Sequence, residues 1–172
     1  MDPGHGSRRG LCGRVRREAH RHAGEREQHL PHDKLSMKLW EEDKLKPDIR
    51  EQLLEISDAF IEYLGISIDV IDVTFTGSYA NFNYTPYSDI DLHIIVDPKS
   101  INKDVDLVEE FLKAKRQFWN DRNDIRVLNI EVELYAQDVN EEHASSGVYS
   151  VKNNEWINKY KKYRYEILHV QK

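Results

Sequence analysis

The sequence predicts an α/β (α+β) fold, a small mixed sheet flanked by helices. Apolar residues recur at helical spacing in two windows, residues 47–64 and 104–119. Three segments, residues 66–76, 88–96 and 126–135, carry the β-branched bias or strict alternation of strands. Their order along the chain is helix, strand, short insert, strand, helix, strand, which suits helices layered on one sheet.

The first helix opens at Lys46-Pro47-Asp48, where proline suits the first turn and the aspartate complements the helix dipole. Ile49, Leu53, Ile56, Phe60 and Leu64 fall on one face, and Gly65 is placed to end the helix. Ile66 to Thr76 follows as a strand. Tyr79 to Tyr84 can make a turn or two of helix before Pro86 stops it. Ser88 to Val96, bounded by Pro86 and Pro98, is the second strand. In the second helix, Val105, Val108, Phe111, Leu112, Phe118 and Trp119 supply the apolar side. Arg126 to Tyr135 is expected as one continuous third strand. Gly147 to Val151 can return as a short strand, and Trp156 to Lys172 reads as a peripheral helix.

The chain has 172 residues, enough for one domain, and a formal charge of −6. That charge argues against a general nucleic-acid-coating protein. A single cysteine, Cys12, excludes a disulfide scaffold. No apolar run approaches the ~18 residues needed to cross a membrane.

Two compositions are joined near Met37. Residues 1–36 hold 7 of the 12 arginines and 5 of the 8 histidines, with no aromatic residue and net charge +3. Such a segment lacks the apolar surface to offset its ordering entropy, and no apolar core marks it as a secretory signal. It is expected as a disordered basic extension, with Met37 as the natural start; a nucleic-acid-touching arm is the functional alternative. Residues 37–172 carry net charge −9 and hold 14 Ile, 10 Asn and 12 of the 13 lysines, a bias compatible with an AT-rich genome. The expected organisation is the extension 1–36, a domain over 37–152 and a polar, aromatic tail over 153–172.

The chemistry concentrates in Thr76-Gly77-Ser78 and Ser88-Asp89-Ile90-Asp91-Leu92. Asp89 and Asp91 stand two apart on a strand, so both side chains emerge from one face while Ile90 and Leu92 enter the core. Paired carboxylates either share a proton or capture a cation. All-oxygen ligands suit Mg2+ or Mn2+ better than zinc. Glu131 and Glu133 likewise share a face of the third strand. If that strand lies beside Asp89–Asp91, one glutamate completes a three-carboxylate cluster able to hold two ions about 4 Å apart for phosphoryl or nucleotidyl transfer. Gly77 lets backbone approach a ligand closely, and the Ser78 hydroxyl and following amides can meet phosphate oxygens. The twelve residues from Gly77 to Asp89 would span roughly 40 Å extended, so the insert must fold back.

These elements resemble the DNA polymerase beta superfamily of nucleotidyltransferases, and most of all the small nucleotidyltransferase-like proteins of bacteria and their phages. The resemblance covers about residues 48–135. It implies a minimal nucleotidyltransferase fold, with Asp89 and Asp91 as metal ligands and Gly77, Ser78 and Ser88 on the nucleotide. It also implies that a third acid activates the acceptor hydroxyl. The frame Ile130-Glu131-Val132 favours Glu131 for that role, with Glu133 as the other metal-ligand candidate. A glutamate there, where the family more often has aspartate, sets the carboxylate about one methylene further out.

The expected activity is transfer of a nucleoside monophosphate from an NTP to a hydroxyl of RNA, protein or a small molecule, with Mg2+ or Mn2+. The body leaves no room for template-binding domains. Two other readings stay open: a silent nucleotide- or metal-binding module acting through a partner, as in toxin–antitoxin pairs, and pyrophosphate transfer of the alarmone synthetase kind, against which Gly77-Ser78 argues. A cytoplasmic setting in a bacterial or phage-infected cell is expected. Other features have bland readings beside functional ones. His93 shares the face of the aspartates, and His143 neighbours Glu141 and Glu142. Tyr79, Phe82, Tyr84 and Tyr87 either stack on a base or pack the insert. Lys152 and the basic, tyrosine-interleaved run from Lys159 to Arg164 can meet phosphate or line a solvated surface.

Overall fold

A computed structural model of the chain describes residues 31–160. A two-stranded hairpin, β1 (Trp40–Glu41) and β2 (Lys44–Leu45), leads into α1 (Pro47–Leu64). Next come β3 (Val70–Thr76), a 3-10 turn over Ser78–Ala80, and β4 (Ile90–Val96). The short α2 (Pro98–Ile101) and α3 (Val105–Arg122) cross back to β5 (Arg126–Val127) and β6 (Ile130–Asp138). The described chain closes with β7 (Val148–Ser150) and β8 (Glu155–Asn158). The six-stranded mixed sheet runs β5-β6-β4-β3-β7-β8, with β4 and β6 parallel and every other pair antiparallel.

The helix signals act where the sequence puts them. Pro47 opens α1, and Gly65 ends it in the left-handed conformation at φ 70°. Ile49, Leu53, Phe60 and Leu64 are buried; Ser57 takes the remaining inward position and donates its hydroxyl to the Leu53 carbonyl at 2.8 Å, leaving Ile56 half-buried. Asp104 caps α3 by accepting from the Leu107 amide at 3.2 Å. Val108 and Leu112 bury that helix against the sheet face bearing Ile90, Leu92, Ile94, Val132 and Leu134. The opposite face carries Asp91, His93, Glu133 and Tyr135.

Three expectations need correction. Residues 126–135 are two strands, because Leu128 and Asn129 both adopt positive φ (50° and 64°) and fold the segment into a hairpin. Glu155–Asn158 is a strand paired with β7, not the start of a helix; residues 161–172 lie outside the description. Residues 32–36, placed by composition in the basic extension, pack on the domain. His32 stacks on Tyr84 at 3.9 Å between ring centroids, its amide donates to the Phe82 carbonyl, and Leu35 is 6% exposed in the core. Cys12 and the expected disorder of residues 1–30 fall outside the described residues. Among those described, no helix is long and apolar enough to cross a membrane.

Candidate active site

β4 and β6 lie side by side and parallel, in a register that sets Asp91 opposite Glu133. Period-2 alternation sends both side chains to the face away from the helices. Asp89 stands just before β4 and turns to the same place. One oxygen from each of Asp89, Asp91 and Glu133 can be chosen so that all three lie within 4.8 Å of one another. The crowding leaves an electrostatic mark. Burial first, then the charges of Asp89 and Glu133, push the Asp91 carboxyl up from 3.8 to about 6. Among the described residues no ion pair neutralises this cluster. Three half-buried oxygen donors repelling one another fit a divalent cation.

Glu131, favoured by sequence, stays outside the cluster. It sits two residues before Glu133, roughly 7 Å back along the strand. There it is exposed and pairs across the hairpin with Arg126. The β4–β6 register, beginning at Ile90 opposite Val132, is what selects Glu133.

β3 delivers Gly77 to the other side of Asp91, since Thr76 pairs with Asp91. Gly77 has φ 79°, and a Cβ built on it would come 1.9 Å from the Asp91 Oδ2. Ser78 begins the 3-10 turn beside it. Ser88 closes a different turn: its hydroxyl accepts from the Thr85 amide at 2.9 Å. Gly77, Ser78 and the three acids are therefore gathered in one region, with Ser88 in the adjoining turn.

Sequence reasoning missed several neighbours. The Tyr135 hydroxyl donates a hydrogen bond to the Glu133 carboxylate. Burial and that contact raise the Tyr135 pKa, so the phenol stays a donor. The Arg116 guanidinium lies 4.9 Å above the Tyr135 ring and His93 stacks on it at 4.8 Å. Tyr135 was readable as the next residue on the face of Glu133; Arg116, reaching in from α3, left no local signal. His93 bonds Gln137 Oε1 through Nδ1 at 2.6 Å, and burial lowers its pKa. It lines a cavity of about 360 Å3 together with Asp91, Arg116, Tyr135 and His143. Of the aromatic insert, Tyr79 and Phe82 are buried and Tyr84 stacks on Tyr79, while Tyr87 is 92% exposed. Lys152 donates to the Val70 carbonyl at 2.9 Å and Lys159 pairs with Asp43.

A mixed sheet with helices on one face, and on the other a glycine turn pressed against paired strand carboxylates, defines a minimal nucleotidyltransferase fold. The family model described as nucleotidyltransferase domain matches residues 53–145, more than half of the chain. The chain belongs to that family. Among curated proteins none matches. A solved structure, the STING-associated CdnE c-di-GMP synthase from Capnocytophaga granulosa, is 18% identical with a TM-score of 0.29. The similarity covers 67% of this chain and 43% of that one, so the chain spans less than half the length of this neighbour.

Proposed function

We propose that the chain transfers a nucleoside monophosphate from a nucleoside triphosphate to a hydroxyl acceptor (RNA, protein or a small molecule), with release of pyrophosphate and dependence on Mg2+ or Mn2+. The observation that carries this reading is the convergence of Asp89, Asp91 and Glu133 within 4.8 Å beside the Gly77 turn. Membership of the nucleotidyltransferase domain family supports it. The catalytic unit takes in residues 37–152, with Leu35 and Trp156 packed on it from either side.

In the reaction the acceptor oxygen bonds to the α-phosphorus while the bond from that phosphorus to the bridging α–β oxygen breaks. Pyrophosphate leaves with the electron pair, and the acceptor proton passes to a carboxylate or to water. Divalent ions held by these carboxylates would supply positive charge that lowers the acceptor pKa and stabilises the leaving group. Asp89 and Asp91 would hold that charge in place. Glu133, oriented by the Tyr135 hydroxyl, faces the acceptor side. Gly77 and Ser78 border the path of the triphosphate.

The test is incubation of the full chain with labelled ATP, GTP, CTP and UTP, Mg2+ or Mn2+, and cellular RNA or protein. Label transfer that vanishes in Asp89→Asn supports the reading. Nucleotide binding without transfer under all these conditions replaces it with the binding module acting through a partner.

A further inference from the structure

Two cavities meet at the outer edge of β6. The one of about 360 Å3 that reaches Asp91 and another of about 510 Å3 beside α3 share Arg116, Ala136 and Glu141 in their linings. Together they make one groove that runs from the acid cluster, past Ala136, to the side of α3. The loop 139–147 is its outer wall. The Gln137 carboxamide donates to the Glu141 carbonyl at 3.2 Å and pins one end of that loop. The Ser145 hydroxyl accepts from the Gly77 amide at 3.3 Å and pins the other.

The floor at Ala136 is an open strand edge. β5 covers β6 only as far as Glu131. Beyond it the backbone groups of alternate residues face outward, and the first two are capped. The Val132 amide donates to the Ile125 carbonyl at 2.9 Å, and the Leu134 amide and carbonyl are both met by the Asn120 carboxamide. Ala136 is next in the series. Among the described residues nothing bonds its N–H or C=O on the outer side, and its side chain is only a methyl. An unpaired edge of this kind takes up an extended segment through main-chain hydrogen bonds.

The charge of the lining selects the segment. Leaving aside Asp91, the groove presents Glu109, Asp138, Glu141 and Glu142 against Lys113 and Arg116. Lys113 already faces Glu110 at 4.0 Å, and Arg116 lies over the Tyr135 ring. Such a surface repels the phosphates of a nucleic-acid chain and attracts a polypeptide that carries lysine or arginine beside its hydroxyl.

We propose that the acceptor is a protein, presented as an extended segment along the Ala136 edge, with basic residues towards Glu109 and Glu141 and a serine, threonine or tyrosine hydroxyl towards Glu133. The inference rests on the nucleotidyl-transfer reading and deepens it by naming the acceptor class. Ala136 follows Glu133 by three residues, about 10 Å along the strand, a span that three residues of an extended segment match. The hydroxyl oxygen bonds to the α-phosphorus and pyrophosphate leaves with the electron pair of the broken α–β bridge. The hydroxyl proton passes to a carboxylate or to water.

The test offers the full chain, with Mn2+ and labelled ATP, GTP, CTP and UTP, two sets of decapeptides. Each peptide carries one central serine, threonine or tyrosine, flanked by Lys-Ala repeats in one set and Glu-Ala repeats in the other. Cellular RNA and the small-molecule fraction of a cell extract are offered in parallel. Label is expected on the lysine-flanked set about three- to ten-fold faster than on the glutamate-flanked set, the scale of one or two exposed ion pairs. Glu109→Lys combined with Glu141→Lys, both at exposed positions, should invert that preference. Ala136→Pro removes the outward N–H without breaking a bond to β4, so the KM for peptide should rise about three- to ten-fold, the worth of one hydrogen bond. A melting curve verifies that this variant is folded. Equal labelling of the two sets, or a preference that the charge reversal leaves intact, overturns the assignment of the groove. Label confined to RNA or to small molecules also overturns it and leaves the transfer reading standing. Absence of transfer to every acceptor removes both.

Discussion

The Asp91 carboxylate closes off the position where a side chain of Gly77 would begin: a Cβ built on residue 77 would come 1.9 Å from its Oδ2. The glycine is therefore tied to the chemistry twice, by its positive φ and by the carboxylate that fills its missing side chain. Gly77→Ala must move Asp91 or the turn. A displacement near 1 Å in a catalytic group costs on the order of 100-fold in rate. We expect a folded protein, destabilised by about 1–2 kcal/mol through backbone strain, with transfer reduced about 100-fold. Thermal melting and Mn2+ titration check this; unimpaired Mn2+ affinity would contradict it.

The same carboxylate governs the pH response. Its pKa rises from 3.8 in the free group to about 6 in the fold, by burial first and then by Asp89 and Glu133. A raised folded pKa contributes stability below 3.8 that is lost as pH climbs through 6. Asp91→Asn mimics the protonated form. It should match the parent in stability below that window and exceed it above, by about 1 kcal/mol once solvent screening of this partly exposed group is allowed for. Ion binding demands the ionised group, so Mn2+ affinity of the parent should fall as pH drops through 6. Melting curves at pH 3.5 and 8 decide; no gain at pH 8 removes the repulsion argument.

Glu133→Gln should lower transfer by 100-fold or more, the scale of losing a group that acts in the transition state. Glu131→Gln, at an exposed position opposite Arg126, should stay within about three-fold. Comparing the two rates checks the strand register directly. The reverse ranking would place the third acid where the sequence frame put it.

That contrast marks how far the sequence could be read. Local rules carried α1, from Pro47 to Gly65, and the convergence of Asp89 with Asp91 two residues on, because both depend only on neighbouring residues. Choosing Glu133 over Glu131 needs the register between strands separated by two helices, which tertiary packing sets. Trp156 was misread for a related reason. Its aromatic side chain suits a helix or a strand, and stacking on Trp40 at 4.9 Å, with pairing to Tyr149, decides for the strand. Leu35 and His32 were hidden by averaging. Two packed side chains disappear in a segment whose overall composition is basic and polar. Ser145 carried no signal, since its partner Gly77 is 68 residues away.

Tyr135 orients Glu133 through its hydroxyl and is itself held between His93 and Arg116. Tyr135→Phe keeps the ring stack and deletes one charge-assisted hydrogen bond, worth about 1.5–3 kcal/mol at most. We expect transfer to drop about ten-fold while stability changes little, because the burial of the ring is preserved. Rates across pH 6–9 should fall uniformly, since burial and the Glu133 contact raise the Tyr135 pKa and keep the phenol protonated. A drop confined to one end of that range would show that Tyr135 acts as a proton donor in the reaction instead of a support.

The hairpin before Glu133 offers a test of stability alone. Leu128 and Asn129 both hold positive φ in a two-residue connection, the geometry of a type I′ turn, which favours Asn-Gly. Leu128 is half exposed and a poor left-handed residue, so its side chain gains little from burial while its backbone bears strain. Replacing the pair by Asn-Gly relieves left-handed strain of about 1–2 kcal/mol per residue, offset in part by the unfolded-chain entropy of glycine, and should raise stability by about 0.5–1 kcal/mol. The turn joins Val127 to Ile130, three residues before Glu133, so transfer should be unaffected. A loss of stability would mean that Leu128 packs usefully at its exposed position. A loss of activity with stability intact would mean that the turn helps hold Glu133 opposite Asp91.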